Sequence, residues 1–248
     1  MTLETPRRGL FVAAAASAAT VALAACGKKA PDKDVSAVED LMREHGVLRR
    51  ILVLYRESAA FVRANFSSVD GKLIWRAADL FRRFGEAYHE QQLEETHIFP
   101  QALKAGGEAS RLIPILIAQH ARGRQITAFI QSRCAAGGIA GADVEPLARA
   151  LESFTRMYEA HAAYEDTIIF QAWRNSLSPQ QLDEAGDQFE EIEKQTFKGD
   201  GFGQAIAEVA AIETAMRIHD LSHYTAEAPG AAAQGVLTLP MATVEGSD

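Results

Sequence analysis

The chain has 248 residues, of which 48% are hydrophobic, with a formal net charge of −8 and a sequence pI near 5.4. This hydrophobic content excludes an intrinsically disordered protein. The acidic balance argues against nucleic acid as a partner, because phosphate binding requires clustered lysine and arginine.

Residues 1–26 have the pattern of an export signal. Arg7 and Arg8 precede a short, alanine-rich apolar run, which ends in Leu-Ala-Ala before Cys26. This ending resembles the lipobox of bacterial lipoproteins, which implies lipidation of Cys26 and a location at the cell envelope or in the periplasm, with the lipid as the only membrane contact. The arginine pair resembles a twin-arginine signal, and an ordinary secretory signal is the alternative. Residues 27–36 are predicted to be a polar tether.

Long segments rich in helix-forming residues predict an all-α fold with six helices. Caps and glycine stops place them at about 36–64, 71–104, 108–136, 143–175, 178–197 and 203–221. The first four are long and joined by short loops, which predicts an up-down-up-down four-helix bundle with the two extra C-terminal helices packed outside it. We expect this helical domain over residues 37–225 and a disordered tail over 226–248.

The sequence contains an internal repeat of two helical hairpins. Glu94 and Glu165 lie 71 residues apart, and each precedes an Ile-Phe pair by four and five residues. His45 and His120 occupy matching positions on the preceding helices, 75 residues apart. Each hairpin therefore has a histidine on its first helix and an acidic cluster on its second.

Three histidines are predicted to face inward. His45, His120 and His161 each lie on an apolar helical stripe, and Glu165 follows His161 by four residues on the same face. Buried carboxylates are costly unless paired, and a metal ion removes that cost for all these groups together. The ligand set suits iron, and also zinc or manganese. A polar network without metal is the alternative.

The sequence leaves open which residue of the second helix, besides Glu94, is a metal ligand. Glu90 and Glu94 are four residues apart, and the repeat places Glu90 where His161 stands in the second hairpin. His89 is about 100° away round an α-helix, and it would supply an imidazole if the helix were over- or underwound there. His89 and Glu90 therefore both stay candidates.

The duplicated hairpin, with its His-x-x-x-Glu and Glu-Glu-x-x-Ile-Phe-Pro segments, resembles the hemerythrin-like (HHE cation-binding) family over about residues 37–175. The resemblance implies a four-helix bundle that holds two irons per chain. It also implies five ligands, two of them bridging carboxylates: His45, His120, His161, Glu94 and Glu165. The family usually has a histidine at the position of Glu90. A more carboxylate-rich site at this position argues against simple oxygen carriage.

These features predict an iron protein that binds or reacts with O2, NO or peroxide, or senses redox state, at the cell envelope. An iron storage or delivery protein is the second hypothesis, and a structural helical-bundle lipoprotein without metal is the third. The sequence has no nucleophile triad, phosphate loop or Cys-x-x-Cys pair, so hydrolase, kinase and thioredoxin chemistries have no support. Whether the protein is an enzyme stays open at this point.

Overall fold

A computed structural model describes residues 35–228 of the chain. The predicted export signal at 1–26 with its Cys26, the tether up to residue 34 and the tail from residue 229 lie outside the described residues. All regular elements between residues 35 and 228 are helices, which confirms the all-α class. Within the same range, no helix has the combination of length and apolar character that crossing a membrane requires.

The described chain forms six helices, two of which change their winding. Helix α1 spans Ala37–Asn65, α3 spans Gly107–Cys134, α5 spans Pro179–Phe197 and α6 spans Gly201–Ala215. Helix α2 comprises Gly71–Leu80, a π-helical segment Phe81–Ile98 and Phe99–Ala105. Helix α4 comprises Val144–Tyr164, a π-helical turn Glu165–Ile169 and Phe170–Asn175. Short 3-10 turns lie at Phe66–Ser68, Gly141–Asp143 and Leu221–Tyr224.

Capping side chains and glycine define the helix ends. The Ser36 hydroxyl accepts the Glu39 N–H at 3.3 Å at the start of α1, and Asp70 accepts the Lys72 N–H at 2.9 Å at the start of α2. Helix α2 ends at Gly106, whose φ of 77° is accessible to glycine at no steric cost. These boundaries agree with the predicted ranges.

Helix α6 differs from its predicted range of 203–221. It begins two residues earlier because the Asp200 carboxylate accepts the Gly203 N–H at 2.6 Å and caps the first turn. It ends at Ala215 because Arg217 adopts a φ of 59°, in the left-handed region, so the helix cannot continue.

Ion pairs give the relative direction of α1 and α4. Arg49, in the middle of α1, pairs with Asp166 towards the end of α4. Arg63, near the end of α1, donates to Glu145 at the start of α4 at 2.9 Å. The two helices therefore run antiparallel, and their apolar faces contribute to one continuous core.

The two C-terminal helices pack against the longer helices and add Phe189 of α5 and Val209 of α6 to the same core. In α6, Glu213 accepts from Arg50 of α1 at 2.8 Å. In α5, Phe189 stacks on Trp173 of α4 with ring centroids 5.7 Å apart. The buried polar cluster described next lies on the four longer helices.

Candidate metal centre

Four buried histidines, one from each of the four longer helices, meet in the interior. Nε2 of His45 lies 3.0 Å from Nε2 of His89, and Nε2 of His120 lies 3.0 Å from Nε2 of His161. None of the four side chains is more than 4% exposed. The four histidines thus form two pairs, and the Nε2 atom of each ring is directed inward.

Two fully buried glutamates lie between the histidine pairs. Oε1 of Glu94 is 3.3 Å from Nε2 of His89, and Oε2 is 3.4 Å from Nε2 of His120. Glu165 reaches the other two histidines through a single oxygen, with its Oε2 3.5 Å from Nε2 of His45 and 3.0 Å from Nε2 of His161. Each carboxylate therefore joins one imidazole of each pair.

An outer ring of polar side chains holds the other nitrogen of each imidazole. The Nδ1 contacts are His45 to Asp166 at 2.7 Å, His89 to Glu44 at 2.5 Å, His120 to Glu95 at 2.9 Å and His161 to Gln119 at 2.9 Å. Each partner accepts, so the imidazole hydrogen lies on Nδ1 and a lone pair on Nε2 points inward. The contacts run from α1 to α2, α3, α4 and back to α1, so each helix orients a histidine of its neighbour.

With neutral imidazoles and charged carboxylates, the state that metal binding requires, the inward-facing atoms are all acceptors. Among the described residues, none of the four carboxylate oxygens of Glu94 and Glu165 has a hydrogen-bond donor. Two facing Nε2 lone pairs at 3.0 Å repel one another, and an unsatisfied buried carboxylate is costly. A cation removes both costs at once, because it accepts lone pairs from nitrogen and oxygen together. The residues present therefore fit a metal site.

The π-helical segment of α2 determines how that helix takes part. In a π-helix each backbone N–H bonds to the carbonyl five residues earlier, so residues five apart lie on the same face. His89 and Glu94 are five apart and both point into the cluster. In α4, His161 and Glu165 are four apart, and α-helical winding up to Tyr164 brings them together. The local underwinding that the sequence requires for an inward His89 is present.

Glu90 lies outside this inward-facing group. Its carboxylate accepts the Tyr158 hydroxyl hydrogen at 2.7 Å and an Arg124 guanidinium hydrogen at 3.2 Å. Its closest approach to a cluster histidine is 3.9 Å, to the outward Nδ1 of His120. Of the two candidates on the second helix, the structure brings His89 to the other ligand candidates and turns Glu90 to a separate hydrogen-bond network.

A small cavity adjoins the cluster and has room for about one water-sized molecule. Besides cluster members, its wall consists of the apolar side chains of Leu48, Leu52 and Ala162 and the polar side chains of Arg49, Glu90 and Tyr158. Arg49 is 42% exposed and pairs with Asp166, so it marks the outer end of the cavity. The cavity therefore lies between the cluster and a surface residue.

Burial controls the protonation of the cluster residues. Burial, together with the nearby positive charge of His120, lowers the pKa of His161 to about 3. Burial and the negative charge of Glu94 raise the pKa of Glu165 well above its usual range. Burial also disfavours a charged His120, but the carboxylates of Glu90 and Glu94 outweigh it and raise the pKa of His120 to about 10. The protein groups alone thus share protons unevenly, and a bound cation would replace those protons.

Sequence reasoning did not assign roles to the outer ring. Its members are Glu44, Glu95, Gln119 and Asp166. A signal was available, because each is the immediate sequence neighbour of a ligand candidate. Adjacent residues lie about 100° apart round a helix, so the neighbour of an inward ligand faces the next helix.

The family profile of the Hemerythrin HHE cation binding domain matches residues 36–173 of the chain. The chain belongs to the hemerythrin HHE family. The matched range contains all six inward-facing residues, and the buried cluster of histidines and glutamates fits the cation-binding role of the family, in which the metal is typically iron.

Curated relatives of this hemerythrin-family chain come from mycobacteria. Uncharacterized proteins of Mycobacterium bovis and of two strains of Mycobacterium tuberculosis are each 37% identical to it over 233 residues. The similarity covers 88% of this chain and 90% of each relative. No solved structure matches the chain.

Proposed function

We propose that this chain is a di-iron protein that binds or reacts with a small oxidant such as O2, NO or peroxide. One observation carries the proposal: two buried carboxylates without donors lie between two pairs of imidazoles whose lone pairs face each other. Two cations would satisfy two such sets of acceptors. A bound iron pair supplies electron exchange and a Lewis-acidic position for small ligands.

The proposed ligands are the inward-facing residues. The residues that would hold the irons are His45, His89, His120, His161, Glu94 and Glu165. The antiparallel packing of α1 and α4, and the closed ring of outer contacts through all four helices, support the up-down-up-down bundle that holds them. Five of these ligands line a cavity together with the apolar side chains of Leu48, Leu52 and Ala162. This apolar wall favours small-molecule binding over metal storage, because storage does not require an apolar space next to the ligands.

The first experiment measures metal content and the visible spectrum of protein purified without added metal. We expect about two irons per chain and near-ultraviolet charge-transfer bands that change with azide or dithionite. Iron that is present but indifferent to azide and oxidants would favour storage or delivery. Absence of any transition metal, with no thermal stabilisation by anaerobic Fe²⁺, would contradict the proposal and leave a structural helical bundle.

A pair of variants tests which residue of the second helix binds iron. His89→Ala removes an inward imidazole and should lower the iron content towards one per chain. Glu90→Gln keeps the side-chain shape outside the inward group and should retain two. The reverse pattern would assign the ligand role to Glu90.

We also propose that the chain is exported and held at the cell envelope by a lipid on Cys26. The support is the sequence pattern of residues 1–26. The full chain expressed in a bacterium should partition into detergent, and Cys26→Ser should release it into the aqueous phase. Replacing Arg7 and Arg8 by lysines should block export if the signal is of the twin-arginine type and leave it intact if it is an ordinary secretory signal.

A further inference from the structure

We propose that Tyr158 and Glu90 select the small molecule that enters the cavity, favouring one with an O–H or N–H hydrogen, such as hydrogen peroxide, over O2 or NO. The inference rests on the proposed function, because the selected molecule is the ligand of the metal centre. It assigns a specificity role to two residues that hold no metal in the proposed ligand set.

The hydrogen bond between these two residues fixes which group donates. Tyr158 donates its single hydroxyl hydrogen to Oε1 of Glu90 at 2.7 Å. A carboxylate can only accept, so the tyrosine oxygen cannot offer that hydrogen to a second partner, and its remaining lone pairs are free to accept. Both side chains line the cavity and are at most 4% exposed. The polar part of this wall therefore presents acceptors to a molecule inside.

Arg124 stabilises Glu90 as a charged carboxylate that can only accept hydrogen bonds. Its Nη2 lies 3.2 Å from Oε2 of Glu90, and the same Nη2 lies 2.5 Å from Oε1 of Glu95. A guanidinium keeps its charge at all accessible pH values, so Glu90 has a permanent cationic partner. The arginine thus supports Glu90 as an acceptor for the Tyr158 hydroxyl.

The backbone leaves a place for the Tyr158 hydroxyl at Gly123. A Cβ atom at position 123 would overlap the hydroxyl oxygen, so a larger residue there would displace it. Tyr88 provides a contrast, because its hydroxyl also donates to a buried carboxylate, that of Glu44, at 2.9 Å. Tyr88 and Glu44 are not among the described residues that line the cavity. Of these two tyrosine–carboxylate pairs, only Tyr158 and Glu90 therefore line the cavity.

The rest of the cavity wall strengthens this selection. Leu48, Leu52 and Ala162 offer no hydrogen bond, and Arg49 is 42% exposed at the outer end, where its Nη2 donates to Asp166. A molecule with a hydrogen to donate can satisfy the Tyr158 oxygen. O2 and NO would face it with lone pairs only, in a place that excludes most water. Leaving a buried polar group unsatisfied costs enough to change affinity by about tenfold or more.

Two ligands of similar size, each with three heavy atoms in a line, provide the test on the iron-loaded full chain. Cyanamide retains an N–H when bound and azide has none, and optical titration gives a dissociation constant for each. In Tyr158→Phe we expect the dissociation constant for cyanamide to rise about tenfold, while that for azide stays within about twofold of wild type. Comparing each variant with wild type cancels the intrinsic difference between the two ligands.

Two further variants make the test independent of any one substitution. Gly123→Ala keeps the tyrosine but displaces its hydroxyl, and should reproduce the selective loss of cyanamide binding. Tyr55→Phe removes a buried hydroxyl that has no partner among the described residues and does not line the cavity, so both constants should stay unchanged. Iron content per chain is measured for every variant, so that a loss of metal is not mistaken for a loss of selectivity.

The outcomes separate the two proposals. If wild type binds iron and azide but Tyr158→Phe and Gly123→Ala alter both ligands equally, or neither, the selectivity role is overturned and the proposed function stands. If wild type binds no iron, or its spectrum responds to neither ligand, the proposed function fails and the selectivity role fails with it. Selective weakening of cyanamide in both variants, with iron retained, supports the role of Tyr158 and Glu90.

Discussion

Asp166 on α4 accepts a hydrogen bond from Nδ1 of His45 on α1 at 2.7 Å, across 121 residues of sequence. Burial alone would raise the pKa of Asp166, but His45 and Arg49 outweigh it and lower the pKa below its usual range. The carboxylate is therefore charged at neutral pH. A charged acceptor behind an imidazole fixes the ring orientation and makes the inward nitrogen a stronger metal ligand.

Asp166→Asn should therefore weaken metal binding while the fold is retained. The change keeps the shape of the side chain and removes the charge behind His45. Loss of an outer partner of this kind costs roughly 10- to 100-fold in metal affinity. Competition with a chelator measures the affinity, and Asp183→Asn, an exposed acid on α5, is the matched control. Equal affinities for the two variants would show that the outer carboxylate does not act on the metal.

Glu165→Gln should stabilise the metal-free protein and abolish its stabilisation by metal. The Glu165 carboxylate is fully buried, and neither of its oxygens has a donor among the described residues. Burial and the charge of Glu94 raise the pKa of Glu165, so folding at neutral pH must either take up a proton or bury a charge at this side chain. A neutral amide avoids both costs, so the melting temperature of the metal-free chain should rise by about 2–4 °C for each 1 kcal/mol recovered. Calorimetry with and without Fe²⁺ measures both effects, and the exposed Glu159→Gln on the same helix is the control. A lower melting temperature of metal-free Glu165→Gln would contradict the cost assigned to this carboxylate.

Alanine at two helical glycines should have opposite effects on stability. Gly123 lies against the Tyr158 hydroxyl, and a Cβ there would overlap it, so Gly123→Ala should destabilise the fold by about 1–3 kcal/mol. Gly46 is exposed and has nothing among the described residues within 4 Å of its added Cβ. Gly46→Ala should stabilise α1 by about 0.5–1 kcal/mol, because alanine loses less backbone entropy in a helix. Urea unfolding of both variants checks the sign, and a destabilised Gly46→Ala would contradict the open space assigned to that position.

Glu86→Gln should flatten the pH dependence of stability. Burial raises the pKa of Glu86 to about 7. Because the folded pKa lies above the unfolded value near 4.5, Glu86 contributes stability that is fully present below about pH 4.5 and is lost as the pH rises through 7. The loss of folding stability between low and high pH reaches roughly 3 kcal/mol. The glutamine variant has no titrating group at this position and does not show this loss.

Denaturant unfolding at pH 5 and pH 8 checks this prediction under identical metal conditions. The variant should gain stability over wild type at pH 8 and little at pH 5. The exposed Glu184→Gln on α5 serves as the control for removing one negative charge. A constant difference between wild type and Glu86→Gln at both pH values would show that Glu86 does not titrate in this range.

The sequence by itself determined the helical class, the family and a metal site built from the repeated hairpins. Helix formers, caps and glycine stops are local signals, so the long helices and most of their ends were predictable without tertiary contacts. The inward direction of His45, His120 and His161 was also predictable, because each lies on an apolar stripe that has to be buried. The end of α6 was not, because the left-handed conformation of Arg217 leaves no clear pattern in the sequence.

Only the tertiary structure places His89, and not Glu90, beside the other inward-facing residues. Both residues have a buried place in the bundle, and the sequence does not reveal that α2 is π-helical from Phe81 to Ile98. That winding brings His89 over Glu94 and turns Glu90 towards Tyr158 and Arg124. The outer ring and the cavity wall depend on contacts between different helices, some more than 100 residues apart. Periodicity along one helix shows which side is buried, but it does not identify the residue of another helix that will face it.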